Sequence, residues 1–156
     1  MPLRKIVSGG QTGVDRGALD AALAAGFCCG GWCPPGRLSE DGVIDMRYPL
    51  AEIPKGGYNE RTLKNVTDSD ATLIIYFSEL HGGTEKTVLY CIKQHKPYKL
   101  IDATETTAAR AAELTAQFVT RHDVAVLNVA GPRQSHAPAG HEYAAQTIGH
   151  LLRGET

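Results

Sequence analysis

The sequence predicts an α/β protein: a single Rossmann-like, three-layer domain spanning residues 1–156, with a mainly parallel sheet of about five strands. Three observations carry this. Short apolar runs alternate with helical segments along the chain. The run 71–77 (ATLIIYF) is apolar without a break, as in a strand covered on both faces. And 156 residues suit one hydrophobic core.

The elements follow in order. Residues 4–8 (RKIVS) read as a short strand. Residues 14–25 read as a helix with Ala18, Leu19, Ala22 and Leu23 on its apolar stripe and Gly26 as its stop. A second strand is expected at 27–32, then a Pro/Gly-rich stretch, 33–57, without a period; loops of that length are usually functional or partly structured. A short helix at 59–67 precedes the strand 71–77. Residues 84–95 place Val88, Cys91, Ile92 and His95 at helical spacing, with Thr84 as the expected N-cap. A strand at 98–102, a helix at 105–122 carrying Ala111, Leu114 and Phe118, a strand at 124–129 and a helix at 140–153 complete the chain.

Composition excludes several classes. The net charge of -1 gives no basic patch for nucleic acid, and no apolar run approaches the ~20 residues of a membrane span. The N-terminus lacks the apolar segment of a signal peptide. Cys28, Cys29, Cys33 and Cys91 fit neither zinc spacing nor a disulfide framework, so free thiols, a cytoplasmic location and no metal are expected.

Candidate function sits in three glycine-containing loops, each between a strand and a helix. Ligands of parallel sheets bind beyond the strands' C-terminal ends, where helix N-termini present unpaired N–H groups to anions. The loops offer Gly9, Gly10, Thr12, Gly13 and Arg16; Gly82, Gly83 and Thr84; and Gly131, Arg133 and Ser135. Arg37 adds a guanidinium suited to phosphate, and Asn128, near the end of an apolar strand, either points into the crevice or bonds a neighbouring loop. "GGQTG" is neither a dinucleotide fingerprint nor a P-loop. Asp15 suits the first turn of its helix. Arg61 and Asn65 share a helical face and either line the site or bridge to Glu60 or Asp68. Glu40 and Asp41 either bind a cation or ribose hydroxyls or form a solvated acidic turn, the favoured reading. His81, His136 and His141 lie in or beside the loops, but no Ser-His-Asp or Cys-His arrangement follows from spacing.

The blocks "SGGQTGVDRGALDAALAAG", "GGWCPPGRLSEDGVID", "YPLAE", "RTLKNVTDSDATLII", "GGTEKT" and "LNVAGPRQS", running in order from residue 8 to residue 135, resemble the putative molybdenum carrier family. That family belongs with Rossmann-like proteins once labelled possible lysine decarboxylases. The resemblance implies a phosphate-bearing, nucleotide-like ligand, with molybdenum cofactor, a pterin phosphate, as the one its name suggests. It also implies a homodimer or higher homo-oligomer. Trp32, Tyr58 or Tyr76 are candidates to stack on a ring. The rival readings are a nucleotide sensor and a phosphoribohydrolase. Enzymes that cleave cytokinin nucleotides carry P-G-G-x-G-T-x-x-E, and alignment on Gly83-Thr84 puts Thr87 where their glutamate stands. Glu79 and Glu85 are the nearby carboxylates. A binding protein without catalytic residues is therefore expected.

Overall fold

The computed structural model describes residues 2–154. Its centre is a five-stranded, all-parallel sheet in the order β2 (Cys29–Gly30), β1 (Lys5–Val7), β9 (Val126–Ala130), β7 (Ala71–Tyr76) and β8 (Tyr98–Asp102). In chain order the elements are β1 (Lys5–Val7), α1 (Val14–Ala24), β2 (Cys29–Gly30), β3 (Trp32–Cys33), β4 (Leu38–Ser39), β5 (Gly42–Val43), β6 (Ala51–Glu52), α2 (Tyr58–Thr67), β7 (Ala71–Tyr76), α3 (Gly82–Lys93), β8 (Tyr98–Asp102), α4 (Ala108–Arg121), β9 (Val126–Ala130) and α5 (Gly140–Arg153).

Alternation along β7 divides the core. Leu73 and Ile75 join α1, α4 and α5 residues such as Ala18, Phe118 and Ile148 in the larger cluster, while Ile74 packs with Val66 of α2 and Cys91 of α3. Helices therefore cover both faces, the three-layer arrangement expected. The periodicity overreached at two positions: Leu23 and Ile92 are 40% and 52% exposed, because each lies at the edge of its stripe.

The expected strand 27–32 is broken. β2 ends at Gly30 and β3 leaves the main sheet, with Gly31 between them at φ 131°. A Cβ there would fall 2.0 Å from the Ser8 carbonyl oxygen, so the crossing of the two backbones requires glycine. The stretch 33–57 is ordered rather than structureless. β3 pairs β6 in parallel, β4 pairs β5 as a hairpin, and Leu19, Cys33, Ile44 and Tyr48 form a small core beneath them. α3 begins at Gly82, two residues before the expected start, and His81 holds the N-cap position in place of Thr84. α4 begins at Ala108, capped by the Thr107 hydroxyl, which accepts from the Arg110 amide at 3.2 Å.

Candidate functional site

β1, β9 and β7 are neighbours in the sheet, so the loops that follow them meet at one edge. There they enclose a cavity of about 290 Å³. Gly9, Gly82, Gly83, Thr84, Asn128, Gly131 and Arg133 of the expected site line it. So do Tyr58, Asn59, Arg61 and Asn65 of α2, which the sequence left undecided or unnamed. The volume lies at the lower end of small-molecule sites, about 300–1,000 Å³.

The glycine loop after β1 is closed on itself. The Gly10 amide donates to Ser8 Oγ (3.3 Å), Gln11 to Asp15 Oδ2 (3.3 Å) and Thr12 to Gln11 Oε1 (3.0 Å). The Asp15 carboxylate thus holds the place expected for a ligand anion at the start of α1. Burial raises its pKa to about 6, against the opposing pull of Arg61, whose Nη1 lies 3.5 Å from Oδ2. The loop's glycines serve packing. A Cβ at Gly9 would strike Arg61 Nη1 at 2.0 Å, and one at Gly13 the Pro132 carbonyl at 2.5 Å.

The start of α3 is the opposite case. No side chain caps it. A Cβ added at Gly82 or Gly83 would meet nothing within 4 Å, and Gly83 lacks the positive φ that explains Gly82. Neither packing nor backbone conformation accounts for glycine at 83. The Thr84 hydroxyl, in a residue only 8% exposed, has no hydrogen-bond partner among the described residues and lies in the cavity wall. Unpaired N–H groups, open space and a free hydroxyl converge there, with Lys86 and Arg133 supplying positive charge.

The other expected residues lie outside the cavity lining. Arg37 is buried and donates to the carbonyls of Ile44, Asp45, Tyr48 and Leu50 at 2.8–3.1 Å. All its guanidinium nitrogens are engaged, so it braces the 38–50 segment. Arg16 pairs with Asp41 at 2.8 Å and donates to the Gly10 carbonyl. Thr12 and Ser135 both donate to Glu40, which also lies 3.6 Å from Arg133 Nε. The supposed solvated turn is therefore a latch, and these hydrogen bonds hold the Glu40 carboxyl below its ordinary pKa. Asn128 lines the cavity, and its Nδ2 donates to Thr72 Oγ1 on the neighbouring strand β7 (3.3 Å) rather than to a loop.

Tyr58 is the aromatic in the cavity wall, with Arg61 5.4 Å from its ring centre; Trp32 instead donates its indole N–H to Asp68. His81 and His136 face each other at the cavity with ring centres 5.7 Å apart, while His141 pairs with Asp20 away from it. Among the described residues, no group of three or more His, Cys, Asp or Glu is placed to hold a metal. Thr87 lines the cavity and donates to the Gly83 carbonyl, and Asp15, rather than Glu79 or Glu85, is the carboxylate in the wall.

Residues 6–152 match the family described as the Circularly permutated YpsA SLOG family. A crystal structure of a putative molybdenum carrier protein from Syntrophus aciditrophicus SB is similar at a TM-score of 0.94 and 40% sequence identity, over 97% of this chain and 96% of that one. No curated protein matches.

Proposed function

Since the chain belongs to the Circularly permutated YpsA SLOG family, we propose that it binds a phosphate-bearing, nucleotide-like small molecule with the phosphate at the start of α3. The observation that carries this is the uncapped start of α3, which opens on the cavity with free space around Gly82 and Gly83. Thr84, Lys86 and Arg133 are the groups that would complete the phosphate site, and Tyr58 would flank a ring. Molybdenum cofactor, a pterin phosphate, is the cargo suggested by the name of the similar protein from Syntrophus aciditrophicus. Its phosphate would fit the α3 end, and its ring the polar floor beside Arg61. The four free cysteines suit a reducing cytoplasm, and a homo-oligomer is part of the same reading.

Calorimetry with the four common nucleoside monophosphates and their nucleosides tests the proposal. At least one monophosphate binds tighter than its nucleoside by about ten-fold or more, and Arg133→Ala with Lys86→Ala removes most of that gain. Equal affinities across all four pairs overturn the phosphate site. Mass spectrometry of the natively purified protein then identifies the resident molecule.

A further inference from the structure

The cavity floor carries a feature that phosphate binding leaves unused. Asp15 and Arg61 lie side by side there, Oδ2 to Nη1 at 3.5 Å, and both line the cavity. Each is nine-tenths buried. Asp15 is 7% exposed as a residue and 10% as a side chain, and it lines the cavity.

Neither group is saturated. Arg61 donates from Nη1 to the Gly9 carbonyl (3.0 Å) and from Nε to Tyr58 O (3.4 Å), while Nη2 has no partner among the described residues. The Asp15 carboxylate receives the Gln11 amide at Oδ2, with the Gly9 amide and Arg61 Nη1 also beside it, which is still short of the roughly four hydrogen bonds a carboxylate accepts. The pose is fixed from below, because the guanidinium lies across Gly9, where a Cβ would overlap it. A buried donor and a buried acceptor thus stand side by side in the cavity wall. The complementary ligand group offers an N–H beside a C=O.

We infer that the Asp15–Arg61 pair reads the lactam edge of a heterocycle, its ring N–H donating to Asp15 and its ring carbonyl accepting from Arg61 Nη2. The edge occurs in 6-oxopurines and in pterins, whereas an adenine ring reverses it, presenting an acceptor to Asp15 and a donor to Arg61. The inference rests on the ligand reading above but concerns the Asp15–Arg61 pair rather than the residues at the start of α3.

Titration of the wild-type protein with IMP, AMP, inosine and adenosine tests it. IMP binds at least about ten-fold tighter than AMP, because mispairing leaves two buried polar groups unsatisfied. Inosine is preferred over adenosine by a similar factor. Neopterin compared with inosine shows which ring carries the edge, and binding of either above adenosine supports it. AMP binding as well as IMP overturns the lactam site while leaving phosphate binding intact. A 6-oxo preference without any gain from the 5′-phosphate overturns the phosphate reading alone. In Asp15→Asn, checked for folding by circular dichroism, the IMP/AMP ratio falls to within about three-fold; an unchanged ratio overturns the role of Asp15. The wild-type ranking decides the matter should that variant not fold.

Discussion

Two charged side chains show how far burial redirects a residue. Arg37 looks like a phosphate ligand in sequence, yet its guanidinium is spent on four backbone carbonyls of its own segment. Arg37→Ala leaves those buried acceptors unpaired and costs about 3 kcal/mol or more in urea denaturation. Amides of 38–53 lose hydrogen-exchange protection first, and Arg37→Lys recovers only part, since a point donor cannot span the four carbonyls. Asp15 sets a pH dependence. Its folded pKa of about 6 lies above the ordinary 3.8, so ionisation is harder in the folded protein. The neutral carboxyl's contribution is complete below pH 4, is lost as pH rises towards 6, and is absent above it, about 3 kcal/mol in all. Glu40 and Asp41, with lowered pKa values, act in the opposite sense as pH falls. The stability difference between wild type and Asp15→Asn therefore isolates the effect. It should change between pH 4 and 6 and be flat from 6.5 to 8; a flat difference throughout refutes the assignment.

Glycines separate helix packing from ligand space. In α1, a Cβ at Gly17 would approach the His141 carbonyl of α5 to 2.3 Å. Alanine normally improves a helix interior by up to about 1 kcal/mol. Here the clash between two backbones reverses the sign, and Gly17→Ala lowers the melting temperature by several degrees or more. Gly83→Ala behaves oppositely. It meets open space, so the fold keeps its stability or gains slightly, while nucleotide affinity falls. Loss of stability without loss of affinity would assign Gly83 to the fold. Both glycines sit in helices, and only their neighbours distinguish them. This is why the sequence points to the loops but does not separate the glycines that packing requires from those that face open space. β7 and its flanking helices were legible because six apolar or β-branched residues in a row have few alternatives. The 33–57 stretch was not, because its strands are two residues long and pair at a distance: Trp32 with Ala51, Leu38 with Val43. No periodicity exists in two residues, and the brace that holds them, Arg37, is recognisable only when its acceptors are in place.

At the scale of the molecule, strand order decides what meets. Adjacency of β1, β9 and β7 turns three separate loops into one cavity, which the alternation of elements already implied. It also brings in α2, whose Arg61 and Asn65 the sequence sets on one helical face without deciding whether they line the site. The same geometry bears on catalysis. Cleaving an N-glycosidic bond requires a carboxylate at the sugar to stabilise the oxocarbenium ion or activate water. Thr87, at the position the cytokinin-nucleotide enzymes give to glutamate, donates its hydroxyl to Gly83 and has no charge to offer. Asp15 is the carboxylate available in the cavity wall, but it is held by Arg61 and the Gln11 amide at the floor. There it is placed to hold a ring edge rather than to face a sugar between ring and phosphate. Binding without turnover is the expected outcome: protein incubated with IMP or AMP releases free base, followed by chromatography, far below about 1 per second. Release near that rate, abolished by Asp15→Asn, would make Asp15 the catalytic carboxylate and replace the lactam contact with one to the sugar.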